Sequence, residues 1–192
     1  MADEKFLTAA IIHGFAAAHA VTAFALSQTL IGDELALSAL TVTMIISISR
    51  VNGASWGVGD GLSMVGLMAG FYLGTRGAMM LVKWIPGIGN LANAITTAGV
   101  TEILGWSTYL LVREGKTPSE LSEDEVKNLR QSAENLKKEM GSKMKEIVAR
   151  MSHEDKSRFD KLIDELKNRD ISEERRKSID SDIEELISKY NY

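Results

Sequence analysis

The stretch FLTAAIIHGFAAAHAVTAFALSQTLIG, Phe6 to Gly32, runs for 27 residues without a charged side chain. About 20 apolar residues suffice to cross a bilayer as a helix, so its length predicts a transmembrane segment. Alanine, three threonines, His13, His19, Ser27 and Gln28 dilute it, and its hydrophobicity is moderate. Gly32 suits the end of one helix and Asp33 the cap of the next. A second uncharged run, Leu35 to Ser49, has 15 residues. At about 1.5 Å per residue it falls short of the roughly 30 Å hydrocarbon layer. The pair reads as a helical hairpin.

Two further apolar stretches follow. Gly61 to Val82 is interrupted only by Arg76, and Trp84 to Val112 only by Glu102, with a break at Pro86-Gly87-Ile88-Gly89. Helices are expected near 7–30, 34–51, 61–82 and 90–112. With the charged remainder of the chain cytoplasmic, the loop at Gly32–Glu34, free of Lys and Arg, fits the outside. Arg76 and Lys83 on that side run against the positive-inside tendency. One transmembrane hairpin is therefore expected, with the second pair partly inserted, interfacial or packed against it.

The composition changes abruptly at residue 112. Residues 1–112 carry 10 charged side chains and residues 113–192 carry 38, although the formal charge of −4 is shared evenly. The expected division is a membrane-embedded helical domain, 1–112, and a soluble charged helical domain, 113–192. Neither part is basic enough for a general nucleic-acid footprint. The lack of cysteine excludes disulfides, thiolate nucleophiles and Cys-ligated metal centres.

In the charged part, Thr117-Pro118-Ser119-Glu120 predicts a helix start with a capping box. Val126, Leu129, Ala133, Leu136, Met140, Met144, Ile147 and Met151 then recur at steps of three and four, a heptad seam with one stutter near Met140. Ser152 and Ser172 cap two more helices, whose apolar faces are Phe159, Leu162, Ile163, Leu166 and Ile179, Ile183, Leu186, Ile187. A helical hairpin, a small bundle or a coiled coil between chains all fit narrow stripes of this kind. The fold class is all-α throughout.

Small residues repeat four apart at Gly66, Gly70, Gly74 and at Ala10, Gly14, Ala18, so each set shares a helix face where another backbone can approach. These are the expected helix-packing or oligomer interfaces. Polar residues within apolar helices are functional hints, here His13, His19 and above all Glu102, for which Arg76, Lys83, the bundle interior or water are the expected partners. His13 and His19 are six apart and point about 120° away from each other, a poor metal pair. Gly53-Ala54-Ser55-Trp56-Gly57 matches the nucleophile-elbow pattern without its α/β alternation and with His153, in the charged part, as the only downstream histidine, and Gly87-Ile88-Gly89-Asn90-Leu91-Ala92 matches a dinucleotide pattern without its strand. Trp56, Trp84 and Trp106 suit either an interfacial belt or a core.

Met44-Ile45-x-x-Ile48-x-Arg50-Val51-Asn52-Gly53, Trp84-Ile85-Pro86-Gly87-Ile88-Gly89-Asn90 and Asn93-Ala94-x-x-x-Ala98-x-x-Thr101-x-x-x-Gly105 together resemble a bacterial family of GTPase-associated membrane domains, often encoded beside or fused to Era-like small GTPases. The resemblance covers residues 30 to 111. It implies structural roles for Asp33, Met44, Arg50, Gly53, Pro86, Gly87, Gly89, Asn93, Thr101 and Gly105, membrane association and a small GTPase as partner, and it supplies no catalytic residue. The expected function is that of a non-enzymatic protein of the bacterial inner membrane that self-associates through small-residue faces, needs no metal or cofactor, and presents a cytoplasmic scaffold. The alternatives are an oligomeric pore, and a soluble oligomer that inserts into membranes on a trigger.

Overall fold

The computed structural model describes residues 4–26, 34–74, 91–168 and 170–191. The described residues are all-helical: α1 Glu4–Leu26, α2 Glu34–Val51, α3 Val58–Gly74, α4 Leu91–Arg113, a 3-10 turn Pro118–Glu120, α5 Glu123–Arg150, α6 His153–Leu166 and α7 Glu173–Tyr190. The four expected apolar helices are present with shifted ends. The third starts at Val58 rather than Gly61, because the Asp60 carboxylate accepts the Gly57 backbone N–H at 2.8 Å and organises the first turn. The segment expected to extend that helix to 82 lies, beyond Gly74, outside the described residues, as do Asp33, Arg76, Lys83, Trp84, Pro86, Gly87 and Gly89.

The expected transmembrane hairpin finds no support in the described helices, and its residues 27–33 lie outside them. Among the described residues no helix is long and apolar enough to cross a membrane. The reason is visible in α2, where Ser38, Thr41, Thr43, Ser47 and Ser49 interleave with the aliphatic residues and Glu34 and Arg50 close the ends.

What these helices do instead is bury themselves in protein. Ala9, Ala10, Ile11, Ile12, Phe15 and Ala16 are all buried, so α1 is enclosed on every side along its N-terminal half, as expected of a helix apolar all round. It packs on α2 and α4 and also on α5, α6 and α7. The division expected at 112 marks a change of composition, and a single apolar cluster runs across it. Ile11, Phe15, Ile45 and Leu104 from one side join Met140, Met144, Ile163 and Ile183 from the other. The seam of α5 therefore faces α1 and α4.

The charged helices begin where serine caps them. The capping box expected at Thr117 forms, with Thr117 N–H donating to Glu120 at 2.7 Å, but it closes only the 3-10 turn because Leu121 is extended. A second box starts α5 proper, with Ser122 N–H donating to Glu125 at 2.9 Å. The Ser122 backbone hydrogen bond, with help from the Ser122 hydroxyl and Lys116, pulls the Glu125 carboxyl down to about 2. A lowered carboxylate stabilises the fold above its ordinary value of 4.5, and this contribution is lost as pH falls through about 2. Ser122→Ala is expected to cost about 1 kcal/mol in denaturant unfolding at neutral pH. An unchanged midpoint would mean that α5 does not depend on this cap.

Candidate functional site

The candidate site is the seam where the apolar helices meet the charged ones. Three charges of the apolar helices meet it: Lys5 pairs with Glu139 at 3.1 Å, Arg50 with Glu173 at 3.0 Å, and Glu102 with Lys137 at 3.4 Å, while Glu4 pairs with Arg113 of α4 at 2.9 Å. Lys137 also donates to the Gly99 carbonyl, and Lys143 lies 6.0 Å over the Phe6 ring. Hydrogen bonds from Lys5 and Lys143 hold the Glu139 carboxyl below its ordinary range. Pairs this exposed contribute at most about 1 kcal/mol each, so they set the register of the seam while apolar burial holds it.

Glu102 thus finds its cation on α5, not at Arg76 or Lys83, which lie outside the described residues. The Ala10, Gly14, Ala18 row is likewise occupied from within the chain. Ala10 is fully buried, and a Cβ at Gly14 would stand 2.6 Å from Ile163 of α6. Gly105 lets Ile12 approach in the same way, at 2.7 Å. The other row differs. Gly66 has open space around it and shares a face with Val58 and Leu62, which are 51% and 54% exposed. Gly70 and Gly74 continue that row within α3, where their surroundings are not described.

A cleft of about 620 Å³ opens on the seam between α1 and α6, floored by His13, Gly14, Ala18 and Phe159 and rimmed by Lys156, Asp160 and the Lys167–Asp164 pair. Burial pushes the His13 imidazole below its ordinary value, opposed by the nearby Glu102, so it is neutral at pH 7. His19 is turned elsewhere. Its ring nitrogens meet the Phe15 carbonyl at 2.8 Å and the Thr41 hydroxyl at 3.1 Å, which ties α1 to α2. Among the described residues no three His, Cys, Asp or Glu side chains gather to hold a metal ion.

Four hydroxyls of the apolar helices serve their own helix. Thr43 donates to the Ala39 carbonyl, Ser47 to Thr43, Ser49 to Ile46 and Thr108 to Leu104, each at 2.9 Å. Asn52 bonds Thr8 at 2.8 Å and so joins α2 back to α1. The Thr43/Ser47 spacing was a sequence signal for this pattern that residue-type reasoning passed over.

Of the remaining expected residues, Met44 and Thr101 are buried, Gly53 turns the chain at φ +81°, and Asn93 lies in the first turn of α4. Trp106 is a core residue with its ring edge-on to Tyr109, whereas Ser55 is an exposed loop residue with no strand before it. One charged group escaped the sequence reading altogether. Asp180 on α7 sits beside Arg50, Arg176 and Glu173, with its Oδ1 buried and accepting no hydrogen bond from the described residues. No known protein family, curated protein or solved structure matches the chain.

Proposed function

We propose that the chain is a non-enzymatic, membrane-associating protein whose apolar hairpin, α1 with α2, is covered by its own charged helices and meets lipid when that cover opens. One observation carries the reading. Most of the described polar groups inside the hairpin are bonded within the hairpin, through His19, Thr41, Thr43, Ser47, Ser49, Thr8 and the Nδ2 of Asn52, whose Oδ1 alone among these accepts no hydrogen bond, whereas Lys5 and Arg50 near its ends are bonded to the cover. Separating hairpin from cover therefore breaks ion pairs at the margins and leaves these interior hydrogen bonds intact, which is what a hydrocarbon environment favours. Such a hairpin suits the membrane interface without having to cross it.

Within this proposal the exposed Val58, Leu62, Gly66 row of α3 is where a second copy seats, and the charged helices face the cytoplasm of a bacterium at its inner membrane. A small GTPase as partner rests on the resemblance of residues 30–111 alone. A pore is the less supported alternative, because Glu102 is engaged by Lys137.

The absence of cysteine makes the test clean. Lys5→Cys with Glu139→Cys, joined by a short bis-maleimide, locks α1 to α5. The unlinked protein is expected to float with liposomes in a density gradient and the locked protein to stay at the bottom. Failure of the unlinked protein to float, or equal flotation of both forms, overturns the reading.

A further inference from the structure

The contact of α2 with α7 is built from four charged groups on two helices. Arg50 stands in the last turn of α2, and on α7 Glu173, Arg176 and Asp180 lie within two helical turns on one side. Arg50 donates to Glu173 at 3.0 Å. Arg176 is buried and donates to the Asn168 carbonyl at 2.8 Å. The two arginines attract Asp180 through space and Glu173 repels it. No charge from α1 or α6 acts on it among the described residues. The nearby charges of α6 are engaged elsewhere, Arg158 with Asp182 and Glu165 with Arg175. Asp180 is therefore a largely buried carboxylate flanked by cations that do not satisfy its inner oxygen.

We infer that this contact is a pH-responsive latch, in which Asp180 takes up a proton on mild acidification and α7 then holds more tightly to the body of the protein. The ionised form keeps an unpaired oxygen out of water and faces the Glu173 carboxylate, and protonation removes both costs. The only chemical change is transfer of one proton from solvent to the Asp180 carboxylate. The latch is independent of whether the hairpin enters a membrane.

The direction follows from linkage. Burial, outweighing Arg50 and Arg176, pushes the Asp180 carboxyl from its ordinary 3.8 to about 6. Between these values the docked state binds more protons than the undocked one, so docking is strongest at the acidic end and weakens as pH rises through about 6. His13 pulls the opposite way in part of this window, because burial lowers it and undocking would let it charge. The comparison that isolates Asp180 is therefore wild type against Asp180→Asn, read locally.

Hydrogen exchange of the α7 amides in the complete chain, corrected for intrinsic rates, provides that local reading. Wild type is expected to be about tenfold better protected at pH 5 than at pH 7.5, the change that a shift from 3.8 to about 6 gives over this interval. Asp180→Asn should lose this gain, with protection at pH 5 equal to or below that at pH 7.5. Arg50→Gln, which keeps the carboxyl and removes a cation that favours its charge, should move the midpoint to higher pH. Equal protection of wild type at both pH values, a gain in protection at pH 5 that survives in Asp180→Asn, or an unmoved midpoint in Arg50→Gln would each overturn the latch.

Discussion

Gly14→Val is expected to lower the stability of the complete chain by about 1–3 kcal/mol. An added Cβ at Gly14 would stand 2.6 to 2.7 Å from three carbons of Ile163, Cδ1, Cγ1 and Cγ2. Contact with one flexible terminus could be relieved by rotation, but three carbons of a β-branched side chain leave no free rotamer, so α6 itself must retreat. Overpacking of this kind costs about 1–3 kcal/mol, and valine recovers only a few tenths from its better helix propensity. Ile163→Ala alone leaves a cavity and costs about 2–5 kcal/mol. In the double variant valine fills part of that cavity, so the two costs should fall short of their sum by more than about 1 kcal/mol. Strict additivity in denaturant unfolding would mean that α1 and α6 do not touch here.

A chain ended after Arg113 is expected to lose cooperative unfolding and to self-associate in the absence of detergent. Ile11, Ile12, Phe15, Leu104 and Leu111 belong to one cluster with Met140, Met144, Ile147 and Ile163, and the cut strips one wall from all of them. The isolated part keeps helical far-UV dichroism, since α1 to α4 contain their own hydrogen bonds, but its melt should broaden, and sedimentation should report large species. Adding residues 114–192 as a separate chain should restore a sharp transition. A monomeric fragment with a cooperative melt close to that of the complete chain would show instead that the apolar part folds alone.

These two experiments probe the feature that was hardest to read from the residues. The last two helices of the charged part were legible almost to the residue, because Ser152 and Ser172 cap them and Phe159, Ile163, Ile179 and Ile183 mark their apolar faces, whereas the start of α5 lies at Ser122 and not at Thr117. What those faces meet was not legible. A narrow apolar stripe reports that something covers it and carries no record of the partner, so the bundle, the coiled coil and the α1–α4 surface gave the same pattern. The surroundings of α1 were open in a related way. A helix apolar all round suits a membrane or a protein interior equally, and Phe15 and Ile12 look alike in both. Glu102 stood out as the lone charge of its apolar run, but its partner Lys137 comes from a helix 35 residues further on whose docking no local pattern announces. Asp180 sits in a charged helix among other carboxylates, and only the approach of α2 distinguishes it from them.

Among the described helices the innermost, α1, is made before the charged helices that cover it. Residues 113–192 comprise 80 positions, which at about 5–20 residues per second take about 4–16 s to synthesise. Throughout that interval α1 and α2 are complete while the wall that Met140, Met144, Ile147 and Ile163 add around Ile11, Ile12 and Phe15 does not yet exist. The order of the chain opens a timed window at birth in which the hairpin is available to chaperones and to a nearby bilayer, and synthesis of α7 closes it.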